Sequence, residues 1–233
     1  MPVSSPHRPS LPDVHARRAR RKDARPGELL AAALDLFVEK GFAATRVEEV
    51  AQRAGVSKGT LFLYFPSKEE LFKAVVRQNI SGRFAEWSDE IDRFEGSAQD
   101  MLRYCLFSWW ERIGSTQASG IPKLIMSEAQ NFPELANFYQ DEVMQPGNTL
   151  IERILKRGVE RGEFRPMDIT YGVYLVLAPM MFLVLWKHSW GSCCGDRAQL
   201  DPRKYLDAQL KMLTHGFSQP EIHKNTLMEH PPT

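Results

Sequence analysis

The chain has 233 residues, of which 43% are hydrophobic and 25% charged, and its 30 Lys and Arg against 29 Asp and Glu leave a formal charge of +1. So much apolar content with so little net charge excludes a chain disordered throughout, and the length suits one or two domains with a sizeable core. Three cysteines are too few for a disulfide scaffold and point to the reducing cytoplasm, and the arginine-rich first 25 residues lack the apolar run of a secretory signal.

The charge is unevenly placed. Residues 1–25 hold seven basic side chains against two acidic, residues 26–75 six against seven, and residues 76–233 seventeen against twenty. The near-neutral total is a cancellation between a basic arm and a mildly acidic body. Such an arm suits a polyanion such as nucleic acid, or simply stays solvated. Residues 1–24 combine prolines, serines and arginines with no hydrophobic period, which predicts a disordered basic N-terminal arm.

Folding is expected to start at Arg25-Pro26, with the proline in the first turn of a helix whose apolar face is Leu29, Leu30, Ala33, Leu34, Phe37 and Val38, and Gly41 as its stop. Thr45 followed by Glu48 predicts a capping box for a helix carrying Val47, Val50 and Ala51. Gly55 supplies a sharp turn, and Ser57 caps a second short helix carrying Leu61. Ala51 is small where the two helices approach, and Leu61 fills the space where they diverge. This is the pattern of a helix-turn-helix. Pro66 then forces a break, and Ser67 with Glu70 makes another capping box.

In a helix-turn-helix the second helix enters the major groove with its N-terminal residues toward the base edges. The candidate contacts are Lys58, Gly59, Thr60, Phe62, Leu63 and Tyr64. Lys58 suits phosphate or guanine, Thr60 phosphate or a base edge, Gly59 a close backbone approach, and Tyr64 a phosphate. Lys68, in the first turn of the next helix beside backbone donors, suits another phosphate. Two short capped helices also occur in proteins that never touch DNA, where Thr45, Ser57 and Ser67 are ordinary caps and Leu61 and Phe65 ordinary core. The adjacent basic arm favours DNA, because contact with phosphates supplies much of the affinity.

Beyond residue 76 nearly every apolar segment has helical spacing. Ser97 with Asp100 caps a helix bearing Leu102, Cys105, Leu106, Trp109 and Trp110. The segment 133–161 follows, with a kink or break expected at Pro146-Gly147. Asp168 caps the next helix, and Asp201-Pro202 opens the last one, with Leu206, Leu210, Leu213 and Phe217 on one face. The reading is an all-α chain of about nine helices: a helix-turn-helix unit over 25–76, a larger helical unit over 77–218, and a disordered tail over 219–233. Residues 171–186 form an uncharged apolar run. It is shorter than the roughly 20 residues a membrane span needs and contains Pro179, so burial partly against a partner subunit is expected, with no membrane.

Histidines stand at 7, 15, 188, 215, 223 and 230, which leaves 16–187 without one, and no phosphate loop or nucleophile elbow occurs. No catalytic residue, metal or cofactor is therefore expected. Cys193 and Cys194 lie near His188 in Gly191-Ser-Cys-Cys-Gly195, which reads as a loop. Their adjacency is poor spacing for zinc, and a thiol or metal sensor using them is the rival reading from another class.

The stretch Val56-Ser-Lys-Gly-Thr-Leu-Phe-Leu-Tyr-Phe-Pro-Ser-Lys-Glu-Glu-Leu71, with Gly41-Phe42 and Thr45 ahead of it, resembles the DNA-binding domain of TetR/AcrR-type transcriptional regulators over about residues 26–76. The resemblance implies a homodimer held by its last two helices, a palindromic double-stranded DNA operator, and a C-terminal pocket whose small-molecule effector loosens the grip on DNA. A repressor is the expected role, with an activator or ligand-independent regulator of the same fold as the alternative. It further implies Thr45 as a phosphate-contacting cap, Lys58 and Thr60 as recognition-helix contacts, and Tyr64 and Lys68 as phosphate anchors. Phe62 departs from a frequent tyrosine, and Leu63 from a polar or larger aromatic residue. For a largely apolar ligand the candidate pocket residues are Trp109, Trp110, Met126, Phe138, Tyr174 and Met181, since thioethers and flat rings adapt to such ligands. A well-packed core is the plainer reading of any one of them.

Overall fold

The computed structural model describes residues 14–194 and 200–217. Among them about 80% of residues are helical and there is no strand, which is the all-α class expected. The chain divides into two compact units, Met1–Gln78 and Asn79–Thr233.

The first unit holds α1 (Val14–Lys40), α2 (Val47–Arg53), α3 (Lys58–Tyr64) and α4 (Lys68–Asn79). α1 starts well before the expected Arg25-Pro26, so the basic arm is helical from Val14 onward, and Pro26 sits inside the helix instead of in its first turn. The reason is local: residues 16–22 are alanines, arginines and a lysine, all strong helix formers. Residues 1–13 of the expected arm, and the tail expected over 219–233, lie outside the described residues.

Gly41 ends α1 at φ 84° and Gly55 turns the chain between α2 and α3 at φ 66°, left-handed values that glycine adopts without a Cβ penalty. Leu29, Ala33, Leu36 and Phe37 of α1 are buried with Val50 and Ala51 of α2, Leu61 of α3 and Phe72 of α4. Phe37, Phe42 and Phe72 pack ring on ring with centroids 5.3 to 5.6 Å apart. Their burial holds the short α2 and α3, which are too short to persist alone.

The second unit runs α5 (Phe84–Asp92), α6 (Ala98–Trp109), α7 (Gly120–Glu128), α8 (Pro133–Tyr139), α9 (Gln145–Glu160), α10 (Ile169–His188), α11 (Trp190–Cys193) and α12 (Pro202–Phe217). Ser97 and Asp168 cap α6 and α10 as expected, accepting from the Asp100 and Tyr171 amides at 3.0 and 3.2 Å. The expected break at Pro146 is absent. A wider helical turn over Gln140–Met144 joins α8 to α9 and places the proline in the first turn of α9, where its missing N–H is tolerated. The loop expected around the adjacent cysteines instead contains the helical turn α11.

The core of this unit draws on α6, α9, α10 and α12, with Leu102, Leu106, Ile151, Ile154, Leu155, Val176, Leu183, Leu206 and Leu210 buried together. Pro179 interrupts the donors of α10, and beside it the Val176 carbonyl accepts from Gln209 Nε2 of α12 at 2.7 Å. Burial of α10 is one-sided. Gly172, Val173, Val176, Met180, Leu183 and Val184 face inward, whereas Tyr171, Tyr174, Leu175 and Phe182 are exposed.

Candidate nucleic-acid interface

α3 is anchored from behind and capped at its start. Leu61 is wholly buried, and Ser57 caps α3 by accepting from the Thr60 amide at 3.1 Å. With Leu61 pointing inward, residues two positions to either side point outward, about 200° around the helix. Those residues are Gly59 and Leu63. Leu63 is 84% exposed and Phe62, its neighbour on the same flank, 38% exposed. Nothing in the unit requires a glycine at 59: its φ is not left-handed, and a Cβ built there meets only Ser57 Oγ, at 3.8 Å.

The polar candidates flank this outward line. Lys58 Nζ lies 2.5 Å from Glu48 Oε1 of α2 and 5.6 Å from the Phe62 ring centre. The hydrogen bond from that ammonium holds the Glu48 carboxyl below its ordinary pKa. Thr60 Oγ1 shares a hydrogen with Ser57 Oγ at 2.9 Å, and the half-buried Tyr64 lies against the Phe65 ring, with centres 6.5 Å apart. Arg53 of α2 grips Glu39 of α1 with both terminal guanidinium nitrogens, at 2.9 and 3.0 Å, and Lys40 of α1 pairs with Glu49 of α2 at 3.0 Å.

Two of the expected phosphate contacts have other work. Thr45 is only 1% exposed, and its hydroxyl donates toward the Leu36 and Gly41 carbonyls at 3.1 and 2.7 Å. The cap residue of α2 is Arg46, which makes no side-chain capping bond, so the expected Thr45–Glu48 capping box does not form. The Thr45 hydroxyl instead spends its one hydrogen on carbonyls where α1 ends, with Gly41 the nearer acceptor, and burial removes it from any phosphate. Lys68 directs its ammonium at the Phe42, Ala43 and Thr45 carbonyls at 2.9, 3.3 and 3.2 Å, and over the Phe42 ring at 4.4 Å. An ammonium has three hydrogens, and three carbonyls of the α1–α2 loop take them. Only half of the expected Ser67–Glu70 box is present: the Glu70 amide bonds Ser67 Oγ at 3.1 Å, while the Glu70 carboxylate pairs with Lys73.

Arg46 was not among the residues singled out from the sequence. It is exposed at the start of α2, where its charge helps to hold the Glu48 and Glu49 carboxyls below their ordinary pKa. Its adjacency to Thr45 was the available signal, hidden because the Thr-x-x-Glu spacing drew the cap one residue too early.

Of the six expected pocket residues in the second unit, Phe138 and Met181 are half-buried. Trp110 belongs to the core, Trp109 packs against that core, and Met126 and Tyr174 are exposed. Helical spacing marks aromatic and methionine residues without saying which way each helix turns them. A cleft of about 590 Å³ lies elsewhere, lined by Glu86, Asp89, Glu90, Arg93, Phe94, Glu95 and Tyr104. Arg112 closes on Glu90 with two bonds at 2.8 and 2.9 Å, and Tyr104 adds a third at 2.9 Å. Together they hold the Glu90 carboxyl below its ordinary pKa, with Arg112 the larger cause.

At the end of α10, His188 Nε2 meets the buried Ser119 hydroxyl at 2.8 Å. Ser119 Oγ donates to the Thr116 carbonyl at 2.7 Å and accepts from Lys187 at 3.0 Å, so the histidine carries its hydrogen on Nε2. Burial and the neighbouring Lys187 and Lys123 push the His188 pKa down to about 4. A neutral imidazole that donates to a buried hydroxyl is a structural tie and not a base poised for nucleophilic catalysis. Among the described residues no three His, Cys, Asp or Glu side chains converge as metal ligands.

A capped helix-turn-helix unit followed by a larger all-helical unit defines a helix-turn-helix regulator of transcription. Comparison with known proteins narrows this. Residues 29–75 match the family described as "Bacterial regulatory proteins, tetR family", and residues 95–190 match "Tetracyclin repressor-like, C-terminal domain". The transcriptional repressor KstR2 of Mycobacterium tuberculosis (strain ATCC 25618 / H37Rv) is 30% identical over 159 residues, 66% of this chain and 78% of that protein. The transcriptional regulator RutR of Escherichia coli (strain K12) is 52% identical over 62 residues, 27% of this chain and 29% of its own. The solved structure of the ketosteroid regulator KstR2 of Mycobacterium tuberculosis superposes with TM-score 0.62 at 23% identity, covering 84% of this chain and 96% of that one. The structure of FadR from Bacillus subtilis in complex with stearoyl-CoA gives TM-score 0.59 at 17% identity, covering 81% and 97%. The chain belongs to the TetR family of DNA-binding transcriptional regulators.

Proposed function

We propose that the protein is a homodimeric, cytoplasmic repressor that binds a palindromic operator through α3 and releases it when a largely apolar ligand occupies the second unit. The observation that carries the DNA reading is the outward line of α3: a bare glycine and an exposed leucine, flanked by Lys58, Thr60, Phe62 and Tyr64, on a helix fixed from behind by Leu61. Arg46 joins them as a phosphate contact, while Thr45 and Lys68 act from inside by holding the α1–α2 loop. The basic segment over residues 1–25 adds non-specific attraction to the duplex.

Dimerisation is supported by the exposed side of α10. Tyr171, Tyr174, Leu175 and Phe182 follow helical spacing along one side of that helix, and Met212 is exposed on α12. A run of exposed aromatic and aliphatic side chains along one side of a helix suits an interface. The proposed ligand class rests on two supports: the methionine and aromatic side chains of this unit, and the ligands in the names of relatives, a ketosteroid for KstR2 and stearoyl-CoA for FadR. A dimer sets two copies of α3 about one helical turn of DNA apart, roughly 34–36 Å, and a ligand that spoils that spacing weakens both contacts at once.

The test is sedimentation of the full chain beside its Leu175→Glu variant, followed by binding to a duplex selected from random DNA. The wild type is expected as a dimer on an inverted repeat, the variant as a monomer with operator affinity lowered at least a hundredfold. Titration with stearoyl-CoA or a ketosteroid tests release. A wild type that sediments as a monomer and selects a single, non-repeated site would overturn the dimeric reading.

A further inference from the structure

We propose that Leu63, with Phe62 beside it, reads thymine methyl groups, so that T·A pairs under the centre of α3 set operator specificity. The inference rests on α3 being the recognition helix and deepens that reading to a base preference. Along the outward line of α3 the protein presents no side-chain hydrogen-bonding group. Gly59 has no side chain, and Leu63, one turn later, is among the described residues of this unit the most exposed large apolar side chain, at 84%.

The polar groups that might instead read bases are engaged or turned aside. The Lys58 ammonium lies against Glu48 and leans over the Phe62 ring. The Thr60 hydroxyl is paired with the cap Ser57, and both Thr60 and Tyr64 lie on the flank away from Phe62. An apolar side chain at the floor of the major groove has its best partner there in the C5 methyl of thymine, the one methyl group the base pairs present, since the rest of that edge is hydrogen-bond donors and acceptors and small C–H groups. A leucine set against such a polar edge strips water from it and returns no hydrogen bond, which disfavours other pairs at that position. Phe62 extends the same apolar surface to the adjacent base step.

The test uses the full chain and a duplex recovered by repeated selection from random double-stranded DNA. In that duplex each thymine is replaced in turn by deoxyuridine, which removes only the methyl group. The expected result is one or two thymines per half-site whose replacement weakens wild-type binding about fourfold each, the effect of one buried methyl group. The Leu63→Ala variant should bind the parent duplex about as weakly as the wild type binds the uracil duplex, and should not distinguish thymine from uracil. Because Leu63 is exposed, the variant should melt with the wild type, which separates lost contact from lost fold. If a specific duplex is selected but no thymine-to-uracil change alters its affinity, the methyl reading is overturned while α3 remains the recognition helix. If selection enriches no sequence, the recognition-helix reading fails and this inference fails with it.

Discussion

Replacing Gly59 with alanine separates what the fold needs at that position from what DNA needs. In the free protein the glycine is a liability. It lies inside α3 with an ordinary right-handed backbone, and glycine costs a helix roughly 0.5–1 kcal/mol relative to alanine. The new methyl group would meet only Ser57 Oγ at 3.8 Å, an ordinary contact, so no packing penalty offsets that gain. At about 2–4 °C per kcal/mol for a chain of this size, Gly59→Ala should melt roughly 1–4 °C above the wild type. On the operator the sign reverses. Position 59 is on the outermost line of α3, and a methyl group there must either push the helix out of the groove or displace a base edge. Overpacking of a close interface costs about 1–3 kcal/mol, which weakens binding roughly 5- to 150-fold. Thermal melting by circular dichroism and fluorescence anisotropy on a labelled operator duplex measure the two effects on one preparation. A variant that is more stable and binds DNA with full affinity would show that nothing approaches α3 at Gly59, and the proposed docking face would be wrong.

Lys68→Met removes three carbonyl contacts of the α1–α2 loop and should lower stability by about 1–2 kcal/mol, below the about 1.5–3 of a fully buried charged hydrogen bond. The slope of log affinity against log salt should stay unchanged, whereas loss of a phosphate anchor would flatten it by about one unit. Thr45→Val keeps the shape but removes the buried hydroxyl's hydrogen bond, whose nearer acceptor is the Gly41 carbonyl at 2.7 Å, and should cost about 1–3 kcal/mol by urea titration, with Thr45→Ser recovering most of it. His188, with its pKa pushed down to about 4, stays neutral in the fold while the unfolded chain takes up a proton below its ordinary 6.5. The unfolded state then binds more protons, so stability should fall as pH drops from 6.5 to 4. The His188→Asn variant should show a shallower fall over that window, and an identical pH profile in the two proteins would refute the assignment.

Local signals were legible wherever they depended on neighbours in the chain. Gly41 and Gly55 turn the backbone, Ser57, Ser97 and Asp168 cap their helices, and Ala51 with Leu61 seats α3 on α2, all as their spacing predicts. The same local logic misled at Thr45, because a threonine three residues before a glutamate matches a capping box whether or not the hydroxyl faces the helix. Only the tertiary structure shows α1 ending nearby with carbonyls to satisfy.

By itself the sequence determined the all-helical class, the position of the helix-turn-helix and the family, because these follow from periodicity, turn chemistry and a motif contiguous in the chain. Direction was left to the tertiary structure. Lys68 and Lys58 are both cations at helix starts, yet one ammonium is taken by three carbonyls of a loop more than twenty residues away and the other pairs with a carboxylate on α2. The aromatic and methionine residues expected to share one pocket are divided between core and surface for the same reason. Which partner a long or apolar side chain meets depends on how distant elements pack, and no spacing along the chain encodes that by inspection.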